Sequence, residues 1–202
     1  MRAATLAGGV IAAFLVTTGV ASATSGTPPR VTLIGDSISG SLDYAPSARR
    51  YLGSGLDLRP DTAVCRRLVA ASCAFRGVEP RTALDVIRSR GDALGSVVVI
   101  NVGYNDWAAV YDVDRVMRAL EAARVHTVVW VTLRATTSNY TRSNARIMKA
   151  AHRWRSLVVA DWNLYSRGKP WFRPDGVHLT SAGAAGLSRL LRPLVTNAIN
   201  GS

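Results

Sequence analysis

Only two cysteines, Cys65 and Cys73, and three histidines, His126, His152 and His178, occur in the 202 residues. Structural zinc is ordinarily held by about four nitrogen and sulfur ligands. Two cysteines with no histidine near them in the chain make no such site, and no metal or other cofactor is expected. Lysine is almost absent, with Lys149 and Lys169 the whole complement, so the formal net charge of +12 is nearly all arginine. The arginines are scattered in pairs such as Arg49-Arg50 and Arg66-Arg67, with no long basic run and no patch interleaved with aromatics. That distribution argues against a nucleic-acid partner and suits an anionic cell-envelope surface. Internal repeats and low-complexity tracts are also missing.

Long apolar runs are equally scarce. The one of near-spanning length, residues 3–20, follows Met1-Arg2 and ends at Ala21-Ser22-Ala23. Its many small residues and its A-x-A ending read as a cleaved secretory signal, with a retained anchor as the competing reading. Residues 1–23 are therefore assigned to a signal peptide and 24–202 to one domain, long enough to bury a core. The protein is expected to be secreted or held in the cell envelope, as a monomer. Export also changes the meaning of the cysteines. In an oxidising compartment an even count predicts a Cys65–Cys73 disulfide, which closes a short loop and stabilises by roughly 2–3 kcal/mol on the chain-entropy model.

What the chain has instead is alternation. Short apolar strands are predicted at 31–34, 56–64, 97–102, 126–133 and 157–161. The second contains Pro60 and so belongs near an edge. Helices are predicted within 38–51, at 80–90 with Pro80 in the first turn, at 112–124, at 141–154, and from the cap Thr180 to about 199. Strands alternating with helices give parallel βαβ units and an α/β fold.

Three short stretches carry chemistry. The strand at 31–34 stops at Gly35-Asp36-Ser37, which delivers a serine to the carboxyl end of a buried strand and to the start of a helix. Backbone N–H groups there can stabilise a developing oxyanion. The competing reading makes Asp36 or Ser37 a simple helix cap. Near the far end lies Asp175-Gly176-Val177-His178, where a carboxylate can reach its own histidine while the other ring nitrogen faces a nucleophile. Between them Gly103-Tyr104-Asn105-Asp106 follows the most apolar strand, so Asn105 offers a side-chain N–H2 at the same edge of the sheet. His126 and His152 read as structural or solvated. Trp107, Trp162, Trp171 and Phe172 are candidates for an apolar or sugar-stacking wall, or for core.

These motifs resemble those of the SGNH hydrolases of the GDSL esterase/lipase superfamily: Gly35-Asp36-Ser37 the nucleophile motif, Gly103-x-Asn105-Asp106 the Gly-x-Asn-Asp motif, and Asp175-x-x-His178 the Asp-x-x-His motif, in the family's order across about residues 30–193. The resemblance implies a flavodoxin-like three-layer α/β/α sandwich around a five-stranded parallel sheet of order 2-1-3-4-5. It implies a serine esterase with Ser37, His178 and Asp175 as its triad. The oxyanion would be held by the Ser37 N–H and the Asn105 amide. The family's further donor is a glycine N–H in the loop after the second strand. Here that loop opens Val64-Cys65-Arg66-Arg67 with no glycine before Gly77, which leaves Cys65 or Gly77 as the third donor. The substrate implied is an acyl ester, acetyl among the options, of a carbohydrate or lipid. An acyltransferase with the same triad and a glycan-binding module with weak catalysis are the alternatives.

Overall fold

The computed structural model describes Met1 and residues 26–201. The signal peptide expected at 1–23 lies, Met1 aside, outside the described residues. Five strands make one parallel sheet: β1 (Arg30–Gly35), β2 (Asp57–Thr62), β3 (Val97–Asn101), β4 (Thr127–Val131) and β5 (Leu157–Ala160), in the order β2-β1-β3-β4-β5. Such strands are covered on both faces and so can be apolar throughout. The whole of β3, Val-Val-Val-Ile-Asn, is buried. Side chains alternate between two layers. Val31, Leu33, Val97, Val99, Val129 and Val131 share one core, while Ile34, Val98, Ile100, Val128 and Trp130 share the other. Each aliphatic side chain fully buried this way contributes about 1.5–3 kcal/mol. β2, with Pro60, is an edge strand.

The first core is covered by α1 (Ser41–Tyr44), α2 (Pro46–Gly53) and α7 (Ser181–Asn200), and by the short α6 (Trp162–Tyr165) after β5. The second is covered by α3 (Ala83–Arg90), α4 (Val113–Ala122) and α5 (Ser138–Ala151). This is the three-layer sandwich and strand order expected. β1 pairs with β2 on one side and β3 on the other, with Gly35 opposite both Thr62 and Asn101. The crevice beyond the carboxyl ends of β1 and β3 is where an open α/β sheet takes its ligand. Among the described residues no helix is long and apolar enough to cross a membrane.

Helix starts follow side-chain caps. Thr82, Asp112, Thr137 and Thr180 accept the N–H groups of Asp85, Arg115, Tyr140 and Gly183. Two expectations are corrected by them: the helix expected from Pro80 begins at Ala83, after the Thr82 cap, and the one expected from residue 141 begins at Ser138, after Thr137. A third correction concerns Ser37. It lies in a tight turn at 37–40 ahead of α1 and not in the first turn of a long helix, because Pro46 restarts the chain as α2.

The last helix anchors the segment before it by close approach. A Cβ on Gly183 would lie 2.2 Å from the Trp171 carbonyl oxygen, and one on Gly186 would lie 2.7 Å from its indole. Trp171 thus sits directly on the backbone of α7, and it stacks on buried Trp162 with ring centroids 5.6 Å apart. The loop carrying Asp175 and His178 hangs from this contact.

Candidate active site

β1 ends against a neighbour that leaves no room for a side chain: a Cβ on Gly35 would lie 2.2 Å from the Cβ of Ser39. The next residue, Asp36, is wholly buried and does more than cap a turn. Its carboxylate accepts the N–H groups of Ile38 at 3.0 Å, Gly103 at 3.1 Å and Tyr104 at 3.2 Å, while its own N–H donates to Asn101. Burial pushes its pKa up to about 6 against the downward pull of those donors. Asp36 thereby fixes the turn that presents Ser37 to the loop that presents Asn105. The Ser37 N–H itself donates to no group among the described residues.

The second stretch forms a short hairpin. Phe172 and Leu179 bridge, the Arg173 N–H donates to the His178 carbonyl, and the Thr180 N–H donates to the Trp171 carbonyl. Tyr44 of α1 donates its hydroxyl to the Leu179 carbonyl at 2.7 Å. From the end of β4, Arg134 donates to the Gly176 carbonyl and lies over the Phe172 ring, 3.9 Å from its centroid. Within this frame Asp175 Oδ1 accepts the N–H groups of Val177 and His178, and Asp175 Oδ2 lies 2.9 Å from His178 Nδ1. Those two backbone donors, then the His178 ring, hold the Asp175 carboxyl down at about 2, although it is exposed. His178 Nε2 lies 3.0 Å from Ser37 Oγ. Ser37, His178 and Asp175 therefore form one continuous hydrogen-bonded line.

Asn105 lies in the loop after β3, next to Gly103 and Tyr104, whose N–H groups bind Asp36. One hydrogen of its amide donates to the Arg66 carbonyl at 3.2 Å, and its own carbonyl accepts from Arg67 Nε at 2.8 Å. Asp106, buried, accepts the Leu68 N–H with both oxygens, and burial pushes its pKa up to about 7. Together these contacts join the Asn105 loop to residues 66–68. Arg67 also covers one face of exposed Trp107 at 4.2 Å. Arg66 is the other centre of the network. Its guanidinium is buried and donates to the Gly35, Asp61 and Arg81 carbonyls and to the Asp61 carboxylate.

Cys65 and Cys73 are joined by a disulfide with Cα atoms 5.1 Å apart. Cys65 has φ 68°, a left-handed conformation. Gly77 is at the exposed tip of the turn in which Phe75 and Val78 exchange backbone hydrogen bonds. A cavity of about 500 Å3 opens beside the serine and is lined by Ser37, His178, Tyr44, Val64 and Phe75 among others. None of the wall candidates Trp107, Trp162, Trp171 and Phe172 borders it, and neither do Asn105, Cys65 and Gly77. Another cavity, of about 420 Å3, lies between α3 and α4, lined in part by Arg88, Arg115 and Arg118, and contains none of these groups. His126 precedes β4 and His152 ends α5, both away from this line. Asp161 caps α6 and accepts from Thr132. Among the described residues no three His, Cys, Asp or Glu side chains gather as a metal site would require.

The roles of Arg66, Arg134 and Tyr44 carry no sequence signal, since each meets backbone carbonyls. Asp36 was visible only as part of its motif.

No family model matches the chain, and no curated protein does. Solved structures do. A carbohydrate acetylesterase family member from Sinorhizobium meliloti superimposes with TM-score 0.63 at 16% identity, over 85% of this chain and 99% of that one. A structure described as a putative arylesterase from Agrobacterium tumefaciens str. C58 gives TM-score 0.60 at 15% identity, over 84% and 99%. Esterase EstA from Pseudoalteromonas sp. gives 0.59 at 11%, over 85% and 99%. At such identities the likeness is one of fold, and it spans nearly the whole of each of those chains.

Proposed function

We propose that the protein is an exported serine esterase that hydrolyses acyl esters, acetyl esters of carbohydrates foremost, with Ser37 as nucleophile. The observation that carries this reading is the 3.0 Å approach of His178 Nε2 to Ser37 Oγ in a histidine whose Nδ1 is held by Asp175. A serine hydroxyl becomes a useful nucleophile when a base takes its proton as it attacks. His178 Nε2 is placed to accept that proton, and Asp175 accepts the Nδ1 hydrogen, which selects the tautomer with a free Nε2. With its carboxyl at about 2, Asp175 is charged throughout the working range and stabilises the imidazolium. The tetrahedral intermediate's oxygen faces the Ser37 N–H and the second hydrogen of the Asn105 amide. His178 then returns the proton to the departing alcohol, and water, activated by the same nitrogen, releases the acid.

The choice of ester follows from the site and the fold. The cavity beside Ser37 is bordered by exposed Tyr44 and Phe75, aromatic faces suited to a sugar ring. Carbohydrate acetylesterase stands among the matching structures. Export accords with the disulfide. Transfer to a second sugar would use the same steps, but the His178 side chain is 43% exposed, which favours water as acceptor. The test is release of p-nitrophenol from p-nitrophenyl acetate, followed by release of acetate from an acetylated xylan. Ser37-dependent turnover of both is expected; equal rates with Ser37→Ala would remove the reading.

A further inference from the structure

Cys65 is in an unusual position for a residue with a side chain. Positive φ is adopted readily by glycine and only at a cost by other residues, because Cβ crowds the backbone. Among the described residues only Cys65, Arg76 and Arg124 are non-glycine with positive φ. Arg76 is in an exposed turn and Arg124 follows the end of α4, where such conformations are common. Cys65 is different: it follows directly on Ala63 and Val64, which line the cavity that Ser37 borders. The Ala63 N–H donates to the Gly35 carbonyl, continuing the β1–β2 pairing up to Asp36-Ser37, and Val64 lines the same cavity as Ser37. Arg66, next in sequence, is clamped at both its guanidinium and its carbonyl, the latter by Asn105. The Cys65 N–H donates to no group among the described residues, as is true of the Ser37 N–H. Two links hold the residue in place. The disulfide ties its side chain to Cys73, and the Cys73 N–H donates to its carbonyl at 3.3 Å.

We propose that the Cys65–Cys73 disulfide is a positioning device for catalysis: it holds residue 65 in the left-handed conformation that turns its N–H to the oxyanion, the task a glycine would perform without a cross-link. The inference rests on the esterase reading above. It makes Cys65 a backbone donor whose side chain acts only through the cross-link, and it gives the disulfide a role in rate beyond its role in stability. Loss of one oxyanion donor lowers turnover by about 10²–10³.

Two double variants separate the roles. Cys65→Ser/Cys73→Ser removes the cross-link and keeps a residue that resists positive φ. Cys65→Gly/Cys73→Ser removes the same cross-link and restores a residue that adopts it freely. Both should melt below wild type. The serine pair should lose about 10-fold or more in kcat on p-nitrophenyl acetate with KM little changed, and the glycine pair should regain most of that loss without regaining Tm. The three-bond HN–Hα coupling of residue 65, read by NMR, should report positive φ in wild type and the glycine pair and its loss in the serine pair. Equal kcat in the two pairs, or full kcat in the serine pair, overturns the proposal. Absence of any Ser37-dependent hydrolysis in wild type would sink the esterase reading instead, and the NMR coupling would still decide whether the cross-link holds the backbone: an unchanged positive φ in the serine pair overturns that.

Discussion

Asp36 Oδ2 accepts the Gly103 N–H at 3.1 Å, so the residue before Ser37 is bound directly to the loop that carries Asn105. The two halves of the site are thereby held at a fixed separation by a wholly buried side chain. Burial without solvent makes this arrangement costly to break, because each stranded backbone donor costs about 1–3 kcal/mol.

Asp36→Ala strands three such donors, on Ile38, Gly103 and Tyr104. Partial relaxation and water entry are expected to leave a net loss of about 3 kcal/mol or more. Urea unfolding monitored by circular dichroism reads it directly. A loss below about 1 kcal/mol would mean that the loops hold one another without Asp36.

The buried Asp106 gives the chain a pH-dependent stability of defined sign. Its folded-state pKa is raised from 3.8 to about 7. Across that interval the folded chain keeps a proton that the unfolded chain releases, so stability from this group is full at low pH and is lost as pH rises through about 7. Asp36, raised to about 6, acts in the same direction. Asp106→Asn keeps a carbonyl oxygen for the Leu68 N–H and has no proton to lose. Its Tm relative to wild type should therefore rise between about pH 5 and pH 8. A constant difference would show that Asp106 is already ionised at the lower pH.

Asn105→Ala removes the amide assigned to the oxyanion in the proposed mechanism and leaves the Arg66 carbonyl without that donor. The expected loss is about 2–4 kcal/mol of transition-state stabilisation, seen mainly in kcat, with a small change in Tm. Near-wild-type kcat would remove Asn105 from the site.

Much of this was legible in the chain. The alternation of apolar strands and capped helices led to the parallel sheet, and Pro60 marked the edge strand. Gly35-Asp36-Ser37 and Asp175 through His178 were visible because each packs its chemistry into a few consecutive residues. The supports were not. Arg66 and Arg134 act on the carbonyls of Gly35 and Gly176, and every residue carries a carbonyl. The left-handed backbone at Cys65 leaves no trace in residue type, since glycine is the usual marker and is absent there. The place of Ser37 in a tight turn was hidden for a related reason: Pro46 signals a break, but not how the chain before it folds.

The most direct test of Ser37 as nucleophile is covalent trapping. A p-nitrophenyl ethylphosphonate ester reacts with an activated serine by forming a phosphorus–oxygen bond and expelling p-nitrophenolate. Intact-mass and peptide mass spectrometry are then applied to wild type, Ser37→Ala and His178→Ala. One adduct per chain on the peptide containing Ser37 is expected in wild type, none in Ser37→Ala, and labelling slowed by about 10²-fold or more in His178→Ala. An adduct on another residue, or equal labelling rates in wild type and His178→Ala, would contradict the assignment of Ser37 and His178 as a catalytic pair.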